Sequence, residues 1–267
     1  MESLSDTMAS TADRVGPSLA LVPTISYAAL AKSVHILQDL VLYYFPLYRL
    51  SEADFFRFMP VLTFVEATAY QIDEECELHG GEPHFVPQYL TVLRQVLTQL
   101  HFYDEALEAE LQGGLTYWRL EQQLGAGHLF TEADVVRANR FRCCDYRFLH
   151  RLLCKMLARP YDEEILDLCW LVEQMGEVEE DLRQYHDDIR GNAYNTYRLF
   201  VRLYGVEAPH HLRRYLDRLE AEVEQRLTRL AATRPSVAHT WQQLQTAYYL
   251  AHPVPDIPPP VLEHSMA

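Results

Sequence analysis

Apolar residues recurring with a period near 3.6, in segment after segment, constrain this chain more than any other feature. The first clear instance is AALAKSVHILQDLVLYYF from Ala28, where Leu30, Val34, Leu37 and Val41 fall on one side of a helix. No stretch alternates apolar and polar residues over strand length, and no internal repeat stands out. Composition points the same way: 10 glycines in 267 residues, with Leu, Ala, Glu and Arg plentiful. An apolar content of 49% is ample for one core. The expected fold is an all-α bundle in a single domain.

Capping and breaking signals divide the chain. Residues 1–23 lack periodicity and read as a flexible tail; residues 24–252 form the helical domain; the Pro-rich stretch 253–267 reads as an extended or disordered tail. Ser51-Glu-Ala-Asp54 is a start signal for a helix reaching about Leu78, with a kink expected at Pro60. Gly80-Gly81-Glu-Pro83 breaks the chain, and helices are expected over 85–101, 103–112 and 114–123. Thr131-Glu-Ala-Asp134 repeats the start signal and leads a helix to about Ala158. A further run from Pro160 to Tyr204, ended by Gly205, exceeds ordinary helix length and predicts an interruption near Gly176. Helices over 208–232 and 236–251 complete the pattern.

A formal charge of −15 argues against a general nucleic-acid binder, because no basic surplus is present to neutralise phosphates. Five cysteines without a CxxC pair predict reduced, mostly buried thiols in a cytoplasmic protein. No signal peptide stands out, and no apolar run approaches the roughly 20 residues of a membrane span.

Two acidic clusters call for an explanation. In AYQIDEECELHG, Asp73 and Glu77 stand four apart on one helical face with Glu74 beside them. In QYHDDIRGN, Asp187 and Asp188 are adjacent, with Asn192 one turn beyond Asp188 and Asn195 two turns beyond Asp187. Like charges at such spacings cost an isolated helix a few tenths of a kcal/mol. A solvated acidic face is the commoner meaning of such runs. Paired carboxylates on facing helices, however, suit hard divalent cations that bridge to phosphate oxygens.

The order and content of these clusters resemble the class I isoprenoid synthases: terpene cyclases, trans-prenyltransferases and squalene/phytoene synthases. IDEECE resembles their first aspartate-rich motif, with Asp73, Glu74 and Glu77 as its acids. QYHDDIRGN resembles the second, through Asp187 and Asp188, with Gly191 at a position where a further ligand is usual. The resemblance implies an all-α fold with a central apolar cavity, three Mg²⁺ bound with a prenyl diphosphate, and metal ligands among Asp73, Glu74, Glu77, Asp187, Asp188, Asn192 and Asn195. RFRCCDYR resembles the terpene cyclase diphosphate sensor, with Arg142 followed three residues later by Asp145. Arg183 and Arg190 would also reach the diphosphate. The cyclases often close with an Arg-Tyr pair after a Trp; here Trp241 precedes Tyr248 and Tyr249, and the Arg is missing.

The activity implied is Mg²⁺-dependent ionisation of a linear prenyl diphosphate followed by cyclisation or rearrangement, with Asp73, Asp188 and Arg142 essential. Phe64, Tyr70, Phe141, Phe148, Tyr194 and Tyr248 are candidate aromatic walls. The expected partners are that small molecule and, where the chain assembles, a second copy in a homodimer. Two further readings stand beside it: a prenyl-transferring enzyme, or a non-catalytic helical interaction protein on the same fold. An all-α di-metal oxidase is disfavoured, since its Glu-x-x-His pairs reduce to Glu207 and His210 around a Pro, and Glu75 and His79 stand four apart.

Overall fold

Capping chemistry decides where most of the helices begin. The computed structural model describes residues 24–79, 86–126 and 128–262, and among these no residue is in a strand. Ser26 caps α1 (Tyr27–Asp39), its hydroxyl accepting from the Ala29 amide at 3.0 Å. The chain then widens through a π-helical turn (Leu40–Tyr44) and tightens into a 3₁₀ turn (Phe45–Tyr48) that ends on left-handed Arg49. Helix α2 (Glu52–His79) starts where Ser51 and Asp54 bond and contains Pro60 without ending there. Helices α3 (Val86–Gln99) and α4 (Glu105–Gly125) follow, the latter capped by Asp104. The expected capping box of Thr131 and Asp134 opens α5 (Glu132–Arg142). Then come α6 (Cys144–Met156), α7 (Glu163–Gly191), α8 (Thr196–Tyr204), α9 (Ala208–Thr233) and α10 (Pro235–Ala251).

Three expected boundaries are corrected. The helix anticipated from Thr131 to Ala158 is two helices, because Cys143 leaves helical geometry at ψ 21°. The break at Gly113-Gly114 is absent, and α4 runs through it. The second finding has a packing cause. A Cβ on Gly114 would stand 2.9 Å from the Cys144 sulfur, and one on Gly113 would stand 3.3 Å from Phe141. The glycines therefore let α4 approach the α5–α6 junction closely, which outweighs their helix cost of about 1 kcal/mol each. The third correction concerns Gly176, which α7 passes without interruption. The chain breaks instead at residues 192–195, where Asn192 adopts φ 54° and Asn195 caps α8.

Helix α2 packs on α1, α3 and α6; α4 packs on α5 and α6; α7 packs on α9, α8, α5 and α6. The α5–α6 hairpin-like break is thus central. Leu149, Leu152 and Leu153 of α6 are wholly buried, each stabilising the fold by roughly 2 kcal/mol through lost apolar exposure. All five cysteines are unpaired, and all but Cys144 are buried. Among the described residues no helix is long and apolar enough to cross a membrane.

The Pro-rich stretch is extended, as one of the two expected alternatives had it, and docked. Prolines cannot donate, so the bonds run the other way: Tyr197 gives its hydroxyl proton to the Pro258 carbonyl at 2.6 Å. The Val261 amide donates to the Tyr185 hydroxyl at 2.9 Å, and Arg183 donates to the Pro253 carbonyl at 3.2 Å. The N-terminal tail (1–23), the Gly80–Pro83 break and residues 263–267 lie outside the described residues.

Candidate functional site

A cavity of about 290 Å³ opens between α2, α3, α4, α6 and α7. Helix α2 presents Glu66, Tyr70 and Asp73, whose spacing of four and three keeps them on one face. Helix α7 presents Glu177, Asp181, Gln184 and Asp188 by the same arithmetic. The α5–α6 break contributes Arg142 from the last turn of one helix and Asp145 from the first turn of the next. Tyr117 and Trp118 of α4, Phe148 of α6 and Tyr194 supply aromatic surface.

Arg142 bridges the wall. Its Nε is 2.8 Å from a Glu177 oxygen, and its Nη1 donates to Asp181 Oδ1 at 2.8 Å. The guanidinium carbon lies 5.5 Å from the Tyr194 ring centre, within cation–π range. The far oxygen of Asp181 accepts from the Thr196 amide at 2.7 Å. Asn195 ties the same region together: its Nδ2 donates to the Asp181 carbonyl (2.6 Å) and to Asp188 Oδ2 (2.8 Å), while its Oδ1 accepts from the Arg198 amide (2.9 Å).

Eight carboxyl groups line the cavity against one cation, Arg142. That imbalance shows in their acidities. Burial raises Asp73, with the Arg142 charge opposing. Burial and then the Glu177 charge push Asp145 up to about 7. Burial and the Asp145 charge drive Glu66 far above the usual carboxylate range. Burial also raises Glu177 and Asp188, opposed by Arg142 in the first and by the Asn195 hydrogen bond in the second. Among the described residues, both Glu66 oxygens are buried without a hydrogen-bond partner.

Of the residues expected from sequence, the structure brings Asp73, Arg142, Asp145 and Asp188 to one cavity. The others lie elsewhere. Glu74 accepts from the Ser26 hydroxyl at 3.0 Å and pairs with Lys32 at 3.5 Å. Asp187 is exposed and pairs with Arg190, one turn on. Asn192 is the left-handed helix end, its Oδ1 accepting from Arg198 at 2.7 Å. Asn195 is wholly buried as the α8 cap. Arg183 pairs with Glu179 and Glu180 beside the C-terminal strap. Tyr248 meets Tyr43 edge-on at 5.1 Å, and Tyr249 lines a different cavity between α7, α9 and α10. Of the aromatic candidates, Tyr70, Phe148 and Tyr194 line the main cavity; Phe64, Phe141 and Tyr248 do not. The Glu77 side chain lies outside the described residues. Glu207 and His210 are exposed, as a surface turn rather than a bundle interior.

Sequence reasoning missed Glu66, Glu177, Asp181, Tyr117 and Trp118. A signal existed for three of them. Glu177, Asp181 and Asp188 form one helical stripe, and Glu66 stands two turns before Asp73 on the same face. Among the described residues no three acid, His or Cys side chains converge tightly enough to hold a metal ion by themselves. Comparison with family models, curated proteins and solved structures found no match.

Proposed function

We propose that the cavity binds a linear prenyl diphosphate with Mg²⁺, ionises it and rearranges the resulting carbocation, as a class I terpene synthase does. The observation that carries this reading is the convergence of Asp73 and Asp188, from two long helices, on a cavity flanked by Arg142 and Asp145 at a helix break. The donor chemistry fits the metal: the available ligands are carboxylate oxygens, left under-neutralised by a single guanidinium. Mg²⁺ needs few protein ligands when phosphate oxygens complete its shell, so Asp73 and Asp188 would suffice to hold it without a preformed cage. The chemistry the metal supplies when bound is neutralisation of the departing diphosphate.

The chain's own residues do the rest. Arg142 exchanges a bond to Glu177 or Asp181 for diphosphate oxygens, its planar fork already oriented by those acids. Asn195 holds Asp188 by one oxygen, leaving the other lone pairs free. Tyr70, Trp118 and Phe148 face the cavity with apolar, electron-rich surface that excludes water and favours positive charge.

The test is diphosphate release from geranyl, farnesyl or geranylgeranyl diphosphate with Mg²⁺. Turnover is expected with at least one, and Asp73→Asn and Asp188→Asn should each slow it by roughly hundredfold while leaving the melting temperature near wild type. No release from any of the three overturns the reading. One observation favours a second reading, a non-catalytic protein that binds without turnover: Asp187, Asn192 and Asn195 are all committed to structural partners. That protein would be stabilised in a thermal melt by Mg²⁺ plus diphosphate and release nothing.

A further inference from the structure

Glu66 is the most anomalous group in the molecule. It is wholly buried, it lines the cavity, and among the described residues neither carboxyl oxygen has a hydrogen-bond partner. Buried carboxyls are ordinarily hydrogen-bonded, and one left unsatisfied weighs against the fold. Seven residues separate it from half-buried Asp73, so it sits roughly 10 Å further along α2, at the inner end of the cavity. The titratable groups around it are Tyr70 on its own helix and Cys144 and Asp145 on α6, all acids. From α3 the cavity receives Leu90 and Leu93. From α4 it receives Leu111 and Glu110, and Glu110 is already held by Arg147 and Arg151. Arg142 is bound by Glu177 and Asp181, and Lys32 of α1, 5.9 Å from the Tyr70 ring centre, pairs with Glu74 at 3.5 Å.

We propose that Glu66 makes the inner end of this cavity a receptor for an ammonium centre carried on an apolar body. As the ammonium seats, the Glu66 carboxyl loses its proton to solvent, and carboxylate and ammonium form an ion pair walled by Tyr70 and Phe148. Charge selects this ligand over a neutral hydroxyl: Glu177 and Asp181 already share Arg142 and Glu110 is held by Arg147 and Arg151, so an ammonium entering beside Glu66 supplies the cation that this acid lacks among the described residues. The apolar neighbours select an alkyl body, since Leu90, Leu93 and Phe148 line the same space. The proposal needs neither Mg²⁺ nor diphosphate and stands apart from the catalytic reading.

Titration calorimetry of the full chain with N,N-dimethyloctylamine, free of metal and diphosphate and run in two buffers of different ionisation heat, tests it. Wild type should release about one proton per amine bound. Octanol, the neutral comparison, should bind more weakly and release none. Glu66→Gln reproduces the shape of the neutral acid; it should abolish proton release and weaken the amine roughly tenfold, with octanol binding unchanged. Amine affinity unchanged in Glu66→Gln, or no proton release by wild type, overturns the proposal. So does octanol binding wild type as tightly as the amine, which would mean that water merely satisfies the carboxyl. Should Glu66→Gln not fold, infrared difference spectra of wild type decide: the protonated-carboxyl band must vanish on adding amine, and its persistence overturns the proposal.

Discussion

Two populations of buried and half-buried carboxyl groups, both represented on the walls of the main cavity, behave in opposite ways. In the first, Glu108 takes a two-pronged bond from Arg94, at 2.8 and 2.9 Å, and a further bond from the Tyr103 hydroxyl. Glu110 accepts from both Arg147 and Arg151, which reach on to Asp167 and Glu163. In the second, Glu66, Asp73, Asp145 and Asp188 share the cavity with one guanidinium that is already committed. The Arg94 hydrogen bonds bring Glu108 down to about 2, while burial takes Asp145 up to about 7. A carboxyl is thus a structural anion where a planar donor meets it, and an acid weakened by burial where none does. Groups of the second kind cost stability and mark a place where a ligand brings the missing charge.

Arg142 is where the two populations touch, and removing it should have the largest effect. Arg142→Ala leaves Glu177 and Asp181 without their cation and should cost about 3–5 kcal/mol in urea unfolding at alkaline pH. The loss should shrink at mildly acidic pH. Burial raises the pKa of Glu177 in the fold, so as pH falls it takes up a proton there and needs no partner. The same sign holds for Asp145: stability is fully present below its ordinary value of 3.8 and is lost as pH rises through about 7. A loss independent of pH would break the distinction between the two populations.

Gly114→Ala should come next, at about 1–3 kcal/mol, since its Cβ would meet the Cys144 sulfur at 2.9 Å and push the α5–α6 break away from α4. Cys144→Ala in the same chain should restore most of that loss. Thermal melts of the two single variants and the double variant measure the coupling, and additive effects would show that the close approach is unimportant.

Asn195→Ala should cost about 1 kcal/mol as a lost helix cap and should detach Asp188 from α8. Chemical-shift titration of Asp188 checks the second part: without the Asn195 donor its pKa should rise further. The smallest effect is expected from Glu108→Gln, because that pair is partly exposed and screened. Wild type should lose the Glu108 contribution as pH falls from 4.5 through about 2, and the variant should lack that acid-side decline in its melting temperature.

Much of this was legible in the residues. Thr131 and Asp134 announce α5, and the last two helices fall within a residue or two of their expected spans, because capping and periodicity are local and act within one or two turns. Asp73, Arg142, Asp145 and Asp188 were chosen as site residues and do line one cavity. Asp187 shows the limit: it is chemically identical to Asp188, and helix phase alone turns one outward to Arg190 and the other inward. Phase at that precision depends on where α7 starts and on what it packs against. Gly113 and Gly114 show it again, since a pair that ordinarily punctuates a chain serves here as a contact face.

By itself, then, the sequence determined the helices, their caps and the surplus of acid, because each depends on neighbours a few positions away. Only the tertiary structure decided which acids meet an arginine and which do not. Glu110 and Glu66 carry the same carboxyl, yet one is bound by Arg147 and Arg151 and the other by nothing among the described residues. That difference arises from residues tens of positions apart brought together by packing, where low dielectric and geometry settle charge state.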